Sequence, residues 1–244
     1  IEARAGEPHL LVVEHEGTRT ELAFDLLLVA VGRTANVDGF GLETLGIPLR
    51  RNRTIETDDY LRTRFPNILA VGDVTGPFQL THAGAHQAWY AAVNALFGRF
   101  KSFRADYRVL PAATYTDPEL ARVGINEREA EAQGIAVEVI VHPFSELDRA
   151  IAEGATEGFV KVLVPPGKDT ILGATVVGAR AGDLIAVFAL AMKHNLGLDK
   201  ILGTVFAYPT FAEAAKFAAG TRRKRHKPER VLGWVKRYHD WRRH

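Results

Sequence analysis

Cysteine is absent from the 244 residues. The chain therefore has no disulfide, no cysteine nucleophile and no thiolate metal ligand of its own. Long apolar runs are missing as well, because none reaches the roughly 18 residues that a membrane-spanning helix needs. The first residues contain no basic segment followed by an apolar run, the pattern of a secretion signal. We therefore expect a soluble, unexported, cytoplasmic protein.

The charges are unevenly distributed along the chain. Hydrophobic residues make up 47% and charged residues 25% of the sequence, a composition typical of globular proteins. The formal net charge is +2, yet residues 221–244 hold ten Lys and Arg against Glu229 and Asp240. This tail carries +8, so residues 1–220 carry −6. The sequence thus predicts an acidic body with a basic tail.

Apolar segments predict strands in the first third of the chain. Alternating residues around "EG" at 16–17 indicate a hairpin. Residues 26–31 and 68–71 are continuously apolar, which is typical of strands buried on both faces. The alanine-rich residues 81–97 predict a helix that ends at Gly98.

The pattern changes after residues 101–108, whose basic and irregular composition predicts a linker. Asn126 and Glu129 form a predicted capping pair, and Gly220 is predicted to end the last helix of this region. The pattern as a whole indicates an α+β unit. Its predicted strands are 109–116, 135–144, 158–164 and 170–178, and its predicted helices are 126–133, 182–195 and 210–219.

Asp73 follows a predicted buried strand, and Thr81 begins a helix a few residues later. This order places a hydrogen-bond acceptor near the positive end of a helix. Such a pair suits a ligand with hydroxyl donors at one end and a developing negative charge at the other, and a flavin has both. The alternative is an Asx turn after a strand, followed by an ordinary helix start.

Four segments together resemble the flavoprotein disulfide reductases, the family of dihydrolipoyl dehydrogenase, glutathione reductase and mercuric reductase. "TRFPNILAVGD" with "LTHAGAHQA" is similar to the second flavin-binding motif of that family. "LLLVAVGRTAN" resembles the strand that closes its nicotinamide-nucleotide domain, with Ala35 where proline is frequent. "AATYTDPELARVGINEREA" and "YPTFAEA" resemble the start of its interface domain and its catalytic segment. The order and spacing match from about Leu26 to Gly220.

The resemblance implies contacts with FAD. It implies that Asp73 binds the ribityl chain of the flavin. It also implies that backbone amides around the helix start meet the pyrimidine edge. The cofactor-binding residues expected from it are Gly32, Gly72, Asp73, Thr81, His82 and Ala83.

Three features of a complete family member are missing from this sequence. They are an N-terminal Gly-rich phosphate loop, a redox cysteine pair, and a GxGxxG loop for NAD(P)H. We therefore expect the C-terminal half of a longer enzyme, inactive on its own. The expected fold is α/β plus α+β. The end of an NAD(P)-binding domain (1–36) and the last part of an FAD-binding domain (37–107), both doubly wound, precede an α+β dimerisation domain (108–220) and a basic amphipathic tail (221–244).

The resemblance implies that Tyr208 and Glu213 are catalytic. In the family this segment reads His-Pro-Thr-x-x-Glu, where His is the acid/base and Glu orients it. Tyr208 takes the histidine position here. An unperturbed tyrosine pKa near 10 makes it a poor general base at neutral pH. For Glu213 the alternative is structural, because Thr210-x-x-Glu213 also reads as a capping box.

Other candidate residues have plain explanations. His82 and His86 are one helical turn apart, but no third ligand is evident, so we predict no metal site. By the resemblance, Arg33 and Asn36 lie near the nicotinamide nucleotide; alternatively they fix the turn between domains. In residues 182–195, apolar side chains spread over more than one face, which predicts burial against a sheet and a second surface. In the family that second surface is the other subunit of a homodimer.

The basic tail has three interpretations. Val231, Trp234, Val235, Tyr238 and Trp241 recur at helical spacing among Lys and Arg. We favour a helix docked on its own or the partner subunit. The alternatives are contact with an anionic membrane surface and nonspecific nucleic-acid binding. Recognition of a specific nucleic acid is not expected.

The sequence therefore predicts part of an FAD-dependent oxidoreductase. Electrons would pass from NAD(P)H through the flavin to a dithiol or another small acceptor. The alternative is a noncatalytic dimerisation or membrane-docking module that retains the fold.

Overall fold

The computed structural model describes residues 2–4, 9–227 and 229–243. The chain divides into two compact units, residues 1–84 and 85–244. Within the residues described, no helix combines the length and the hydrophobicity that crossing a membrane requires.

The first unit begins with a three-stranded antiparallel sheet in the order β1-β2-β3. The strands are β1 (Glu2–Arg4), β2 (His9–His15) and β3 (Thr18–Phe24). Glu16 and Gly17 connect the last two with φ of 49° and 78°. Two positive φ values are what a two-residue turn requires to match the twist of paired strands. The predicted hairpin is confirmed.

The strand predicted for residues 26–31 is wrong. Leu26, Leu28 and Val31 are 91%, 88% and 88% exposed, and the segment is not a strand. A continuously apolar strand is stable only where neighbouring backbone completes its hydrogen bonds and other layers cover it. No described residue pairs with this segment.

The rest of the first unit folds around a small apolar core with little regular structure. It contains helix α1 (Leu42–Leu45) and a 3-10 turn at Gly72–Val74. The strand predicted for residues 68–71 is wrong too, since only an isolated bridge joins Leu69 to Arg62. The core consists of Ala35, Val37, Ile47, Ile55 and Ala70, with Leu42, Phe65, Ile68 and Val74 packed against it.

Helix α2 (Thr81–Phe97) has the bounds that the sequence predicted, and the division between the units falls within it, after Gly84. The predicted linker packs along this helix. Asn94 donates to Phe103 O (2.8 Å) and accepts from Phe103 N (2.7 Å). Gln87, which is fully buried, donates to Tyr107 Oη (2.9 Å). Side-chain amides of the helix thus replace the hydrogen bonds that an irregular segment cannot make with itself.

The second unit is built on a five-stranded antiparallel sheet in the order β4-β5-β8-β7-β6. Helices α5 and α7 pack against this sheet and each other, and their apolar side chains form one core with it. The strands are β4 (Ala112–Thr114), β5 (Leu120–Gly124), β6 (Glu138–Pro143), β7 (Phe159–Val164) and β8 (Gly173–Val177). The helices are α3 (Glu127–Ala132), α4 (Asp148–Glu153), α5 (Ala181–Lys193), α6 (Leu198–Leu202), α7 (Glu213–Arg225) and α8 (Glu229–Arg242).

The predicted capping pair of α3 is confirmed. Asn126 Oδ1 accepts from Glu129 N, and Glu129 Oε2 accepts from Asn126 N, both at 2.9 Å. The predicted end of α7 is wrong, because the helix continues through Gly220 to Arg225. A glycine costs a helix about 1 kcal/mol, which tertiary packing readily offsets. A Cβ on Gly220 would lie 3.8 Å from Leu202 Cδ1, so α7 runs close to α6 here.

Helix α8 is exposed along its described length. Every side chain that the structure describes in this helix is exposed. The apolar side chains Val231, Trp234, Val235, Tyr238 and Trp241 are between 44% and 74% exposed. The docking of the tail that the sequence favoured is therefore not formed within the described part of this chain.

Candidate functional site

Asp73 is half-buried in the 3-10 turn that follows the extended residue Val71. Its carboxylate has no hydrogen-bond or ion-pair partner among the residues that the structure describes. The Asx turn that was the structural alternative for this residue is therefore not formed. A partly buried acceptor without a partner is available to a ligand.

The backbone of helix α2 approaches Asp73 closely. A Cβ built on Gly84 would lie 3.3 Å from Gly72 Cα, tighter than ordinary van der Waals contact. Gly72 itself has φ of 79°, a conformation that favours glycine. Gly84 thus allows the first turn of α2 to rest directly on the turn that carries Asp73, and Gly72 allows the backbone conformation of that turn.

The start of α2 presents backbone donors beside this carboxylate. Gly84 N donates to Leu80 O (3.0 Å), so the helical ladder begins there. Thr81, His82 and Ala83 occupy the preceding positions in the first turn, where N–H groups point out of the end of a helix. Thr81 and His82 are exposed, while Ala83 is fully buried. The arrangement has an acceptor and a positive helix end on one small surface.

Gly32 is not brought into this arrangement. A Cβ placed on it would meet no atom within 4 Å. The next residue, Arg33, donates from Nη1 to Gln79 O (3.0 Å), just before α2. This contact favours the interpretation that Arg33 fixes the turn.

Tyr208 lies in the second unit, where its hydroxyl donates to Asp148 Oδ2 (2.9 Å). The ring is 70% exposed. The hydrogen bond to Asp148 and the charge of that carboxylate raise the pKa of Tyr208 above its ordinary value of 10, with a smaller contribution from Glu213. Tyr208 is therefore a neutral hydrogen-bond donor at neutral pH and not a base.

Glu213 forms half of the predicted capping box. Its Oε2 accepts from Thr210 N (3.1 Å), which is one of the two hydrogen bonds of a capping box. The second is missing, because Thr210 Oγ1 donates to Ala207 O (2.7 Å) instead of accepting from the backbone N–H of Glu213. Glu213 is buried at the start of α7. The carboxylate thus fixes the backbone just after Tyr208 and adds negative charge near its hydroxyl.

Histidines of α2 are engaged in packing. His86 Nε2 lies 2.9 Å from Asp106 O, and its ring contacts Tyr90 edge-on. In the described residues, no group of three or more His, Asp or Glu side chains is arranged to hold a metal ion.

Comparison with protein families accounts for most of the chain. Residues 1–93 match the profile described as pyridine nucleotide-disulphide oxidoreductase. Residues 110–219 match the dimerisation domain of the same group. The chain belongs to the pyridine nucleotide-disulphide oxidoreductase family. The predicted family and the predicted fold class are confirmed.

A relative within this family is a dihydrolipoyl dehydrogenase of Chlamydia muridarum. It is 36% identical over 208 residues, which cover 82% of this chain and 44% of the relative. A dihydrolipoyl dehydrogenase of Staphylococcus aureus is 36% identical over 206 residues, covering 84% of this chain and 43% of the relative. The chain thus spans less than half the length of these oxidoreductases.

A solved structure of the family has the same fold. LpdA from Mycobacterium tuberculosis superposes with a TM-score of 0.79 at 29% identity, covering 88% of this chain and 46% of LpdA. The HOCl-induced flavoprotein disulfide reductase RclA from Escherichia coli gives a TM-score of 0.77 at 26% identity, covering 88% of this chain and 48% of RclA.

Two residues of the candidate sites carry no signal in the sequence of this chain. Asp148 is 60 residues from Tyr208, and no local pattern links them. Arg50 binds three backbone carbonyls, those of Ile55 (3.2 Å), Thr57 (3.0 Å) and Thr75 (2.7 Å). Thr75 is two residues from Asp73, so Arg50 holds the segment that carries the candidate site. An arginine before a loop gives no signal of such a role.

We predict that Arg50→Ala loosens the segment that carries Asp73. Loss of these charge-assisted hydrogen bonds should lower the local free energy of unfolding by about 2 kcal/mol. The hydrogen exchange of the Ile55 amide should therefore become roughly thirtyfold faster. That amide donates to Val74 O (2.7 Å). Hydrogen exchange read by mass spectrometry or NMR measures the effect.

Arg51→Ala is the matched control, because Arg51 is exposed and makes no described side-chain contact. Equal exchange in the two variants would contradict the role assigned to Arg50.

Proposed function

We propose that this chain is the FAD-binding and dimerisation part of an FAD- and NAD(P)H-dependent oxidoreductase. The observation that carries the proposal is the unpartnered Asp73 carboxylate beside the start of α2. The proposed domains are the end of an NAD(P)-binding domain (1–36), the last part of an FAD-binding domain (37–107) and a dimerisation domain (108–220).

The residues present fit one part of FAD. A ribityl chain offers hydroxyl donors, which Asp73 lacks among the residues that the structure describes. The pyrimidine edge offers oxygen and nitrogen acceptors, which suit backbone N–H groups at Thr81, His82 and Ala83. The missing Cβ of Gly84 lets the start of α2 lie against the turn that carries Asp73. We therefore assign Asp73 to the ribityl hydroxyls and the α2 amides to the pyrimidine edge.

Bound FAD supplies a two-electron carrier between NAD(P)H and an acceptor. The chain's own contribution is electrostatic. The positive end of α2 favours negative charge at the pyrimidine edge, and the fixed amides need no reorganisation when that charge develops. Asp73 orients the group without adding charge at this edge.

The pair of Tyr208 and Asp148 favours reduction of an acceptor. A disulfide that gains two electrons must also gain two protons to become a dithiol, and a neutral phenol can donate one of them. A tyrosine whose pKa is raised by Asp148 is unsuited to withdrawing a proton from a dithiol at neutral pH. We therefore infer that electrons flow from the flavin toward a disulfide, which is reduced to a dithiol, or toward another small acceptor. The chain has no cysteine, so a redox cysteine pair would come from outside it.

The dimerisation domain supports a homodimer. Helix α5 buries Leu184, Ile185 and Phe188 against its own sheet, but Leu190 on the same helix is 61% exposed. Tyr208 and Tyr115 are exposed as well. We propose that a second copy covers these apolar side chains.

We predict that Asp73→Ala in the full-length protein abolishes FAD retention. The wild-type protein should purify with a flavin whose absorbance is bleached by NAD(P)H without oxygen, because Asp73 supplies the acceptor for the ribityl hydroxyls. The flavin-to-protein absorbance ratio measures the outcome.

Asp25→Ala is the control, since Asp25 is exposed in the same unit and has no described partner. Full flavin occupancy in Asp73→Ala would refute the assignment. A wild-type protein without flavin would favour the noncatalytic alternative.

We predict that Tyr208→Phe slows acceptor reduction by about a hundredfold while NAD(P)H still reduces the flavin at the wild-type rate. Asp148→Asn should lower the pKa of Tyr208 toward about 10, because the neighbouring negative charge is removed. Stopped-flow absorbance separates the two half-reactions, and tyrosinate absorbance against pH reports the pKa.

Glu131→Gln, an exposed change on α3, should alter neither quantity. Equal slowing of both half-reactions by Tyr208→Phe would indicate a structural role and remove the proton-donor assignment.

A second candidate function is contact of α8 with an anionic membrane surface. Its apolar residues recur at i, i+3, i+4, i+7 and i+10 from Val231, on one face. Glu229 and Asp240 are two positions from Val231 and Tyr238, on the opposite side. Aromatic residues with flanking cations are typical of helices that lie in the membrane interface. The exposure of this face supports the proposal.

We predict that Trp234→Ala with Trp241→Ala weakens binding to phosphatidylglycerol vesicles by about a hundredfold, since two large apolar side chains no longer enter the interface. Vesicle sedimentation of the full chain measures this. Trp89→Ala changes an exposed tryptophan of α2 and should leave binding unchanged. Failure of the wild-type chain to bind would exclude the membrane contact.

A further inference from the structure

A cavity of about 480 Å³ opens between the β7–β8 turn, the start of α6 and the last turn of α7. It is lined by polar side chains from all three elements. The three permanent cations among them are Lys168, Arg222 and Arg223, and the two carboxylates are Asp169 and Asp199. None of these residues belongs to the candidate redox site.

Arg222 is buried there, and its pairing with a carboxylate is weak. It is only 6% exposed, and its Nε has no hydrogen-bond partner among the described residues. Its Nη1 lies 3.8 Å from Asp199 Oδ1, beyond hydrogen-bond distance. Buried arginines are normally paired and hydrogen-bonded, because an uncompensated buried charge is costly. The compensation of Arg222 in this chain is incomplete.

The neighbouring charges leave the cavity short of anions. Asp199 is shared, because Arg223 Nη1 lies 3.6 Å from its other oxygen. Asp169 is bound to the start of α6, where its Oδ2 accepts a hydrogen bond from Asp199 N (3.3 Å). A Cβ on Gly197 would lie 2.1 Å from that oxygen, so only glycine allows this contact. The Lys168 side chain has no partner in the described parts of the chain.

The rim of the cavity is held in place by a separate contact. His226 Nε2 donates to Glu138 Oε2 (2.8 Å), and Arg225 donates to Val139 O (2.8 Å). Both contacts tie the end of α7 to β6. The guanidinium groups of Arg222 and Arg223 are therefore carried by an anchored helix end.

We propose that this cavity binds the phosphate group of a small phosphorylated molecule. Guanidinium groups match the geometry of phosphate oxygens, and an ammonium group adds attraction without directional demand. The volume exceeds that of a bare phosphate ion and falls within the range of small-molecule sites. Asp199 acts as an internal competitor, since it occupies the same guanidinium groups.

Calorimetric titration of the full chain with inorganic phosphate and with glycerol phosphate tests the proposal. Ionic strength is kept constant with chloride. Both probes should bind, with glycerol phosphate binding at least as tightly. Arg223→Gln should weaken binding about tenfold because one charge-assisted pair is lost, and Asp199→Asn should tighten it by about the same factor.

Arg223 and Asp199 are chosen because both are exposed, whereas Arg222→Gln changes a buried side chain and can fail to fold. Arg128→Gln removes an exposed cation from α3 and should leave binding unchanged. Absence of binding by both probes would overturn the proposal. The proposal would also be overturned if Arg223→Gln bound the two probes as tightly as the wild-type chain, or if Asp199→Asn bound them more weakly. Binding to phosphatidylglycerol vesicles alone would assign the cations to a lipid surface instead.

Discussion

The contact of Gly84 with Gly72 is the constraint on which the candidate flavin site depends. A Cβ on Gly84 would lie 3.3 Å from Gly72 Cα, so the missing Cβ of Gly84 lets the first turn of a helix rest on a 3-10 turn, whose positive φ at Gly72 favours glycine. The contact sets the separation between an acceptor, Asp73, and the donors at the start of α2. Arg50 supports the turn by binding the carbonyl of Thr75, which directly follows it, and the carbonyl of Ile55, whose amide donates to Val74 O. The candidate site is thus formed mainly by packed backbone, and Asp73 is the one side chain that we assign to the ligand.

Local signals in the sequence were sufficient where the structure is local. The bounds of α2 and the capping box of α3 follow from residues within a few positions of each other. Segments whose structure depends on distant partners were not predictable. Residues 26–31 read as a buried strand because their composition is that of one, but pairing decides whether a strand forms. The short elements β5, α4 and α6 were missed for the same reason, since tertiary packing and not periodicity defines them.

The candidate catalytic residues show the same difference between features with a local signal in the sequence and features that depend on distant residues. The resemblance located Tyr208 and Glu213, and the structure gives both of them hydrogen-bond partners. The partner of Tyr208, Asp148, comes from a helix that the sequence did not reveal. Its carboxylate changes the chemistry of the tyrosine, because a phenol beside a negative charge keeps its proton. The resemblance alone identifies the segment as a catalytic candidate, whereas the neighbouring carboxylate determines that the phenol is protonated at neutral pH.

The exposed apolar segment at residues 26–31 has a consequence for the behaviour of this chain in concentrated solution. "LLLVAV" has six consecutive residues without charge, proline or glycine, a composition that favours stacking of identical strands between molecules. No described backbone occupies its hydrogen-bonding groups. At high concentration, residues 26–31 of two chains can therefore form with each other the strand-to-strand hydrogen bonds that the described part of one chain does not provide. Strand neighbours supplied by additional sequence would make the same six residues part of a buried sheet and protect the protein from self-association.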